Sequence, residues 1–135
     1  CIFSFTWGNI IMRVKKLLDK KGPEVYSISP DATVLDALKL MAEKEIGALV
    51  VLEDGKMVGI LSERDYARKV ILKGKSSKET PVRAIMTADV IHTSPDKKVG
   101  KCLSLMTKHH FRHLPVLDEG RVVGMLSIED VKGVT

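Results

Sequence analysis

Moved along by 65 positions, this sequence falls on itself, so that Val25 meets Val90. The run "VYSISPDATVLDALKLMAEKEIGALVVLEDGKMVGILSERD" then lies beside "VIHTSPDKKVGKCLSLMTKHHFRHLPVLDEGRVVGMLSIED" without a gap. Shared letters include Ser29 and Ser94, Pro30 and Pro95, Asp31 and Asp96, Gly55 and Gly120, Gly59 and Gly124, Ser62 and Ser127, and Asp65 and Asp130. A repeat longer than the usual solenoid periods, present twice, implies two half-domains packed on one another rather than an open array. A chain of 135 residues has room for one compact domain or for two half-domains with a common core.

Hydrophobic spacing gives both copies the same elements. Ahead of them, in residues 12–24, "RVKKLLDKKG" has apolar residues at 14, 17 and 18 before Gly22, which predicts a short opening helix. In the first copy, residues 25–76, "VYSIS" alternates and reads as a strand halted by Pro30. "DATVLDALKLMAEKEIG" reads as a helix with Thr33 and Asp36 as a capping box and Gly47 as its stop. "ALVVL" is the continuous apolar run of a strand buried on both faces, Asp54-Gly55 turns a hairpin, and "MVGILS" is the partner strand. "ERDYARKVILKG" returns to helix as far as Gly74. Residues 77–89 join the copies, with Pro81 opening a short helix toward Ile85 and Met86. Residues 90–135 repeat the order, beginning with "VIHTS" as a strand. The expected architecture is α/β (α+β), two β-α-β-β-α units packed with pseudo-two-fold symmetry, because neither copy alone buries its apolar faces.

The phrase that closes each copy has the makings of a binding site. A strand ending at Ser62 or Ser127, followed at once by a helix, sets that hydroxyl among free amide N–H groups at the positive end of a helix dipole, where anions are attracted. Gly59 and Gly124 leave the strand backbone open to close approach. Asp65 and Asp130, three residues past the serines, can accept a pair of hydrogen bonds from vicinal hydroxyls such as those of a ribose. The same letters are also a plain capping box, with glycines that merely permit tight packing. The net charge of +5 fits an anionic partner, whether nucleotide phosphate, nucleic acid or an acidic protein face.

The duplicated unit, "SPDATV" and "SPDKKV" after the first strands, and "VGILSERD" and "VGMLSIED" at the ends together resemble a tandem pair of cystathionine-β-synthase (CBS) domains over about residues 12–134. The resemblance is closest to stand-alone CBS-pair proteins. It implies a regulatory module that binds an adenosyl ligand (AMP, ADP, ATP, NAD(H) or S-adenosylmethionine) in clefts between the repeats and senses energy or redox state. Carried over, Asp65 and Asp130 take the ribose, Ser62 and Ser127 meet phosphate, and Tyr26 and Ser27, or Ile91 and His92, edge the base. Arg112 and His113 are of the kind that family members turn toward phosphates, with basic help from Arg64 or Arg68. The resemblance also implies a homodimer, a disc of four motifs, and a regulated enzyme partner.

Other chemistry is poorly supplied. Nothing matches a nucleophile elbow, a P-loop lysine motif or paired catalytic carboxylates, so enzyme activity is not expected. His109, His110 and His113 have no ligand spacing, and no metal is expected. Cys102 lies on an apolar helical stripe with Leu103 and Met106 and is assigned to the core; the lysines at 15, 16, 20 and 21 are assigned to a solvated face. Nucleic acid is a weaker partner, since aromatics are 4% of the chain and gather in "CIFSFTWGNII". That segment, residues 1–11, has no repeat partner. It is expected to be a non-native or flexible extension ahead of Met12, or an apolar arm for self-association; it is too short to span a membrane. Two cysteines are too few for a disulfide framework and point to a reducing cytoplasm. Two rival readings remain: a ligand-free dimeric interaction module, or a basic nucleic-acid-binding protein.

Overall fold

The computed structural model describes residues 11–22 and 25–134; residues 1–10, nearly all of the expected extension, lie outside the described residues. In chain order the elements are α1 (Val14–Lys21), β1 (Ser27–Ile28), α2 (Val34–Lys44), β2 (Ala48–Glu53), β3 (Lys56–Ser62), α3 (Glu63–Tyr66), a π-helical turn (Ala67–Ile71), α4 (Val82–Ile85), α5 (Val99–His109), β4 (His113–Asp118), β5 (Arg121–Ser127) and α6 (Ile128–Lys132). They form two compact units. The first is Tyr26–Val90; the second joins α1 to the residues from Ile91 onward.

In the first unit β1 runs parallel to β2, and β2 antiparallel to β3, in the order β1-β2-β3. The β2–β3 turn has Asp54 and Gly55 both at positive φ, 53° and 78°, the conformation an Asp-Gly hairpin turn supplies. Val34, Ala37 and Met41 of α2, at helical spacing, pack with Leu49, Val51, Leu61, Val70, Val82 and Ile85. Thr33 caps α2 by accepting from the Asp36 amide at 3.1 Å. The stop is not Gly47. The helix ends at Glu45 in the left-handed region, with the Ile46 amide donating to the Met41 carbonyl at 3.0 Å and the Glu45 amide to Ala42 at 3.4 Å, a Schellman closure with apolar Ile46 and Met41 at its ends. Gly47 instead offers its carbonyl to the Glu63 amide at the start of α3.

The second unit repeats the helix and hairpin of this core at matching positions. Val99, Cys102, Met106, Leu114, Val116 and Leu126 of its core are the 65-residue counterparts of Val34, Ala37, Met41, Leu49, Val51 and Leu61. Val14 and Leu17 of α1 complete this core as Val82 and Ile85 of α4 complete the other. The backbone bonds agree: Val14 N–H donates to Lys97 and Lys15 to Pro95, as Val82 donates to Ala32 and Arg83 to Pro30. Helix α1 therefore does for the second unit what α4 does for the first.

One expected element is reduced. "VIHTS" forms no strand beyond a single parallel bridge, Thr93 to Val116. The cause is Pro115. In the first unit the Val50 amide donates to the Tyr26 carbonyl at 3.2 Å; its counterpart, Pro115, has no N–H to give. The expected long helix after Ser62 also differs, since after four residues it loosens into a π turn closed by Leu72 N–H to Ala67 at 3.1 Å.

Candidate functional site

Both closing phrases fold into complete capping boxes. Ser62 accepts from the Asp65 amide at 3.2 Å, and Asp65 Oδ2 accepts from the Ser62 amide at 3.0 Å and hydroxyl at 3.1 Å. Ser127 accepts from the Asp130 amide at 3.1 Å, and Asp130 Oδ2 accepts from the Ser127 amide at 2.8 Å. Each box holds a half-buried carboxylate at a strand-to-helix corner.

Each carboxylate also meets an ammonium, from a different source. At Asp65 it is Lys69, one helical turn on, with Nζ 3.1 Å from Oδ1; Thr87 Oγ1 donates to the same oxygen at 3.2 Å. Lys69 further donates to the Ile85 carbonyl at 2.9 Å. The counterpart of Lys69 in the second unit is Val134, which has no charge to offer. The ammonium on Asp130 comes from Lys21, at the end of α1, with Nζ 2.6 Å from Oδ2 and a second bond to the Met125 carbonyl. Partial burial pulls the Asp130 carboxyl upward, but the Lys21 ammonium and the Ser127 amide outweigh it and hold the group below its ordinary value. Lys21, assigned from sequence to a solvated face, is thus bound to the motif. Nothing local announces it, because the pair spans 109 residues of chain.

The strand glycines are covered by the protein itself. A Cβ on Gly59 would lie 2.7 Å from Met86 Sδ and 2.9 Å from the Thr87 carbonyl oxygen; one on Gly124 would lie 2.6 Å from Leu18 Cδ2. At both positions the close approach of a neighbour is reason enough for a glycine. Leu18 and Met86 hold corresponding places just past the buried residues of α1 and α4.

The remaining expected residues fall in two groups. In the second unit, Arg112, His113, Ser127 and Asp130 come together: His113 pairs with Ser127 across β4 and β5, and the Ile128 amide donates to the Arg112 carbonyl at 2.8 Å. The exposed Arg112 guanidinium donates to Glu129 at 2.7 Å, which keeps it over the first turn of α6 and lowers the Glu129 carboxyl pKa. In the first unit, Arg64 and Arg68 are exposed on the helical turns after Ser62. Tyr26 and Ser27 are separated from the Ser62 strand by β2, since Ser27 pairs with Val50 and Val50 with Ile60; Lys44 sits over the Tyr26 ring at 5.4 Å. Ile91 and His92 are exposed in the extended run before Thr93.

Cys102 is buried in the second core, its thiol pushed up by desolvation and 3.6 Å from Thr93 Oγ1. Among the described residues no group of three or more His, Cys, Asp or Glu side chains is placed to hold a metal ion. No described helix is long and apolar enough to cross a membrane.

Comparison with known proteins adds the following. The family model for the CBS domain matches residues 14–72 and again 82–134. The Arabidopsis thaliana mitochondrial CBS domain-containing protein CBSX3 is 45% identical over 106 residues, which are 75% of this chain and 52% of that protein; the chain spans about half the length of that relative. A protein with CBS domains from Burkholderia ambifaria has a solved structure that superposes with a TM-score of 0.86 at 46% identity, covering 90% of this chain and 91% of that one. The CBS domain pair of protein MJ0100, solved in complex with 5′-methylthioadenosine and S-adenosyl-L-methionine, superposes with a TM-score of 0.81 at 28% identity, covering 91% of this chain and 94% of that one.

Proposed function

The chain belongs to the CBS-domain family, as a tandem pair of the kind that serves regulation and signal transduction, and from that premise we propose that it binds an adenosyl ligand with Asp130 and Asp65 as ribose acceptors. The observation that carries this reading is the pair of carboxylates held at equivalent corners by closed capping boxes, on a fold that in MJ0100 accommodates two adenosyl compounds. A carboxylate whose backbone and position are already fixed loses little freedom when a diol donates to it, so its affinity is not spent on ordering. Arg112, kept over α6 by Glu129, is the phosphate anchor of the Asp130 site, because a planar guanidinium can leave one carboxylate partner for a phosphate with bidentate geometry. Ser127 and His113, paired across the hairpin, flank it; Ser62, with Arg64 and Arg68, serves the Asp65 site. Tyr26 and Ser27, and Ile91 and His92, edge the base. The functional species is a homodimer whose geometry, or whose hold on an enzyme partner, shifts as ligand binds one arrangement better than another.

The test is a calorimetric and thermal-shift series with AMP, ADP, ATP, NADH and S-adenosylmethionine, against GMP. At a free ligand concentration about a hundred times Kd, mass action stabilises the protein by about 2.7 kcal/mol, a rise of several degrees in Tm. That rise is reduced in Asp130→Asn and in Asp65→Asn, and lost when both are replaced. If none of the five shifts Tm at millimolar concentration, the reading fails.

A second reading has its own support. Both boxes are closed and both glycines are covered by Met86 or Leu18, which is all that a ligand-free interaction module requires. It predicts no response to any of the five compounds and an intact dimer in Asp130→Asn.

A further inference from the structure

The two motif carboxylates take their cations from different places in the chain. At Asp65 the ammonium belongs to the next turn of the same helical segment, Lys69. At Asp130 that position is Val134, and the ammonium is delivered by Lys21 from α1. The same helix covers Gly124 with Leu18, so a molecule reaching the Gly124–Asp130 corner along β5 meets α1 twice, at an apolar tip and at a charge. Lys21 is anchored at two points, Asp130 Oδ2 and the Met125 carbonyl, one residue beyond that glycine. It is the last residue of α1, next to Gly22, whose amide closes the helix on the Leu18 carbonyl at 2.7 Å.

We propose that Lys21 is a latch on the Asp130 site: a diol that takes the Asp130 carboxylate displaces the Lys21 ammonium from it and frees the end of α1. This rests on the reading of Asp130 as a ribose acceptor. Asp130 Oδ2 already accepts from the Ser127 amide and the Lys21 ammonium, which fills its two lone pairs, so a diol that donates to both carboxylate oxygens competes with Lys21 for Oδ2. The exchange returns one charge to water and transmits occupancy of the site to a helix that is distant in sequence. The Asp65 site lacks this coupling, because Lys69 belongs to the helical segment that follows Ser62, so its displacement reaches no helix from the other end of the chain.

The experiment uses the full chain carrying Asp65→Asn, so that a single site is titrated with AMP and with S-adenosylmethionine by calorimetry. Lys21→Met, Lys20→Met and Asp130→Asn are compared in that background, with hydrogen exchange followed at the Gly22 amide. A half-exposed ion pair is weak, so removing it raises affinity by roughly two- to fivefold in Lys21→Met. Lys20→Met, the same change of charge one residue earlier, leaves affinity where it was. Ligand speeds exchange at Gly22 in the Lys21 protein and adds nothing in Lys21→Met, where that amide already exchanges fast. Equal or weaker binding by Lys21→Met overturns the latch while leaving Asp130 as the acceptor, provided Asp130→Asn still abolishes binding. If both probes bind unchanged to Asp130→Asn, or bind none of the proteins, the acceptor reading fails and the latch with it.

Discussion

Gly59 and Gly124 occupy the same place in the repeat, yet the structure assigns them different costs of substitution. Neither lies among the glycines at positive φ, so an alanine is conformationally acceptable at both and gains about 0.4–1 kcal/mol by narrowing the unfolded ensemble. What differs is the neighbour. At Gly124 the new methyl meets the tip of Leu18, 2.6 Å from Cδ2 and 3.0 Å from Cδ1, and a leucine on the rim of the core can turn aside for about 0.5–1.5 kcal/mol. At Gly59 it meets Met86 Sδ at 2.7 Å, which can move, and the Thr87 carbonyl oxygen at 2.9 Å, which cannot move freely. That carbonyl accepts from the Ile60 amide at 3.0 Å, while the Thr87 amide donates to the Ile60 carbonyl at 2.9 Å, so the strand and the segment it touches are tied at the point of collision. Overpacking of this kind costs about 1–3 kcal/mol.

Gly59→Ala should therefore destabilise by about 2 kcal/mol, lowering a urea midpoint by about 1 M, while Gly124→Ala stays within about 0.5 kcal/mol of the parent. Leu18→Ala introduced beside Gly124→Ala relieves what clash remains. Met86→Ala beside Gly59→Ala does not, since the carbonyl is still there. Equal losses at the two glycines, or the larger loss at Gly124, would refute the argument that backbone and side-chain neighbours set the cost.

Three further outcomes follow from the geometry. Asp130 has a lowered folded pKa, so its contribution to stability is present above the ordinary carboxyl value of about 4 and is lost as pH falls through the folded value. Asp130→Asn should accordingly flatten the decline of Tm below about pH 4 while costing stability at neutral pH; an unchanged acid limb counts against it. Arg112→Ala removes an ion pair between two exposed side chains and leaves Tm in place, but weakens a phosphate-bearing adenosyl ligand by roughly tenfold more than it weakens 5′-methylthioadenosine; equal losses on calorimetry would rule out a phosphate role. Cys102, buried with a raised thiol pKa, should resist iodoacetamide in the folded protein and react in urea, as peptide mapping would show; rapid labelling of the native chain would place it outside the core.

What could be read from the letters was whatever is local or periodic. The 65-residue register placed Cys102 opposite Ala37 and Val116 opposite Val51, and in the structure those pairs hold equivalent core positions. The Asp-Gly turn and the two Ser-x-x-Asp boxes are interactions across three or four residues, and they formed as spelled. The register misled where one copy lacks a backbone donor: "VIHTS" has every side-chain credential of "VYSIS", but the strand it would pair with carries Pro115 where the first copy has Val50. That departure was visible in the sequence, since a proline in a would-be ladder partner already forbids the bond. Lys21 was not visible. Its role depends on α1 reaching back over the last hairpin of the chain, and the position that does the same work in the first unit, Lys69, has an uncharged counterpart. The duplication kept the need, a cation at the motif carboxylate, and met it from a different place in the fold. Comparison of the copies by sequence finds shared residues; it misses an interaction met by unrelated residues, which emerges when the question is what each carboxylate touches.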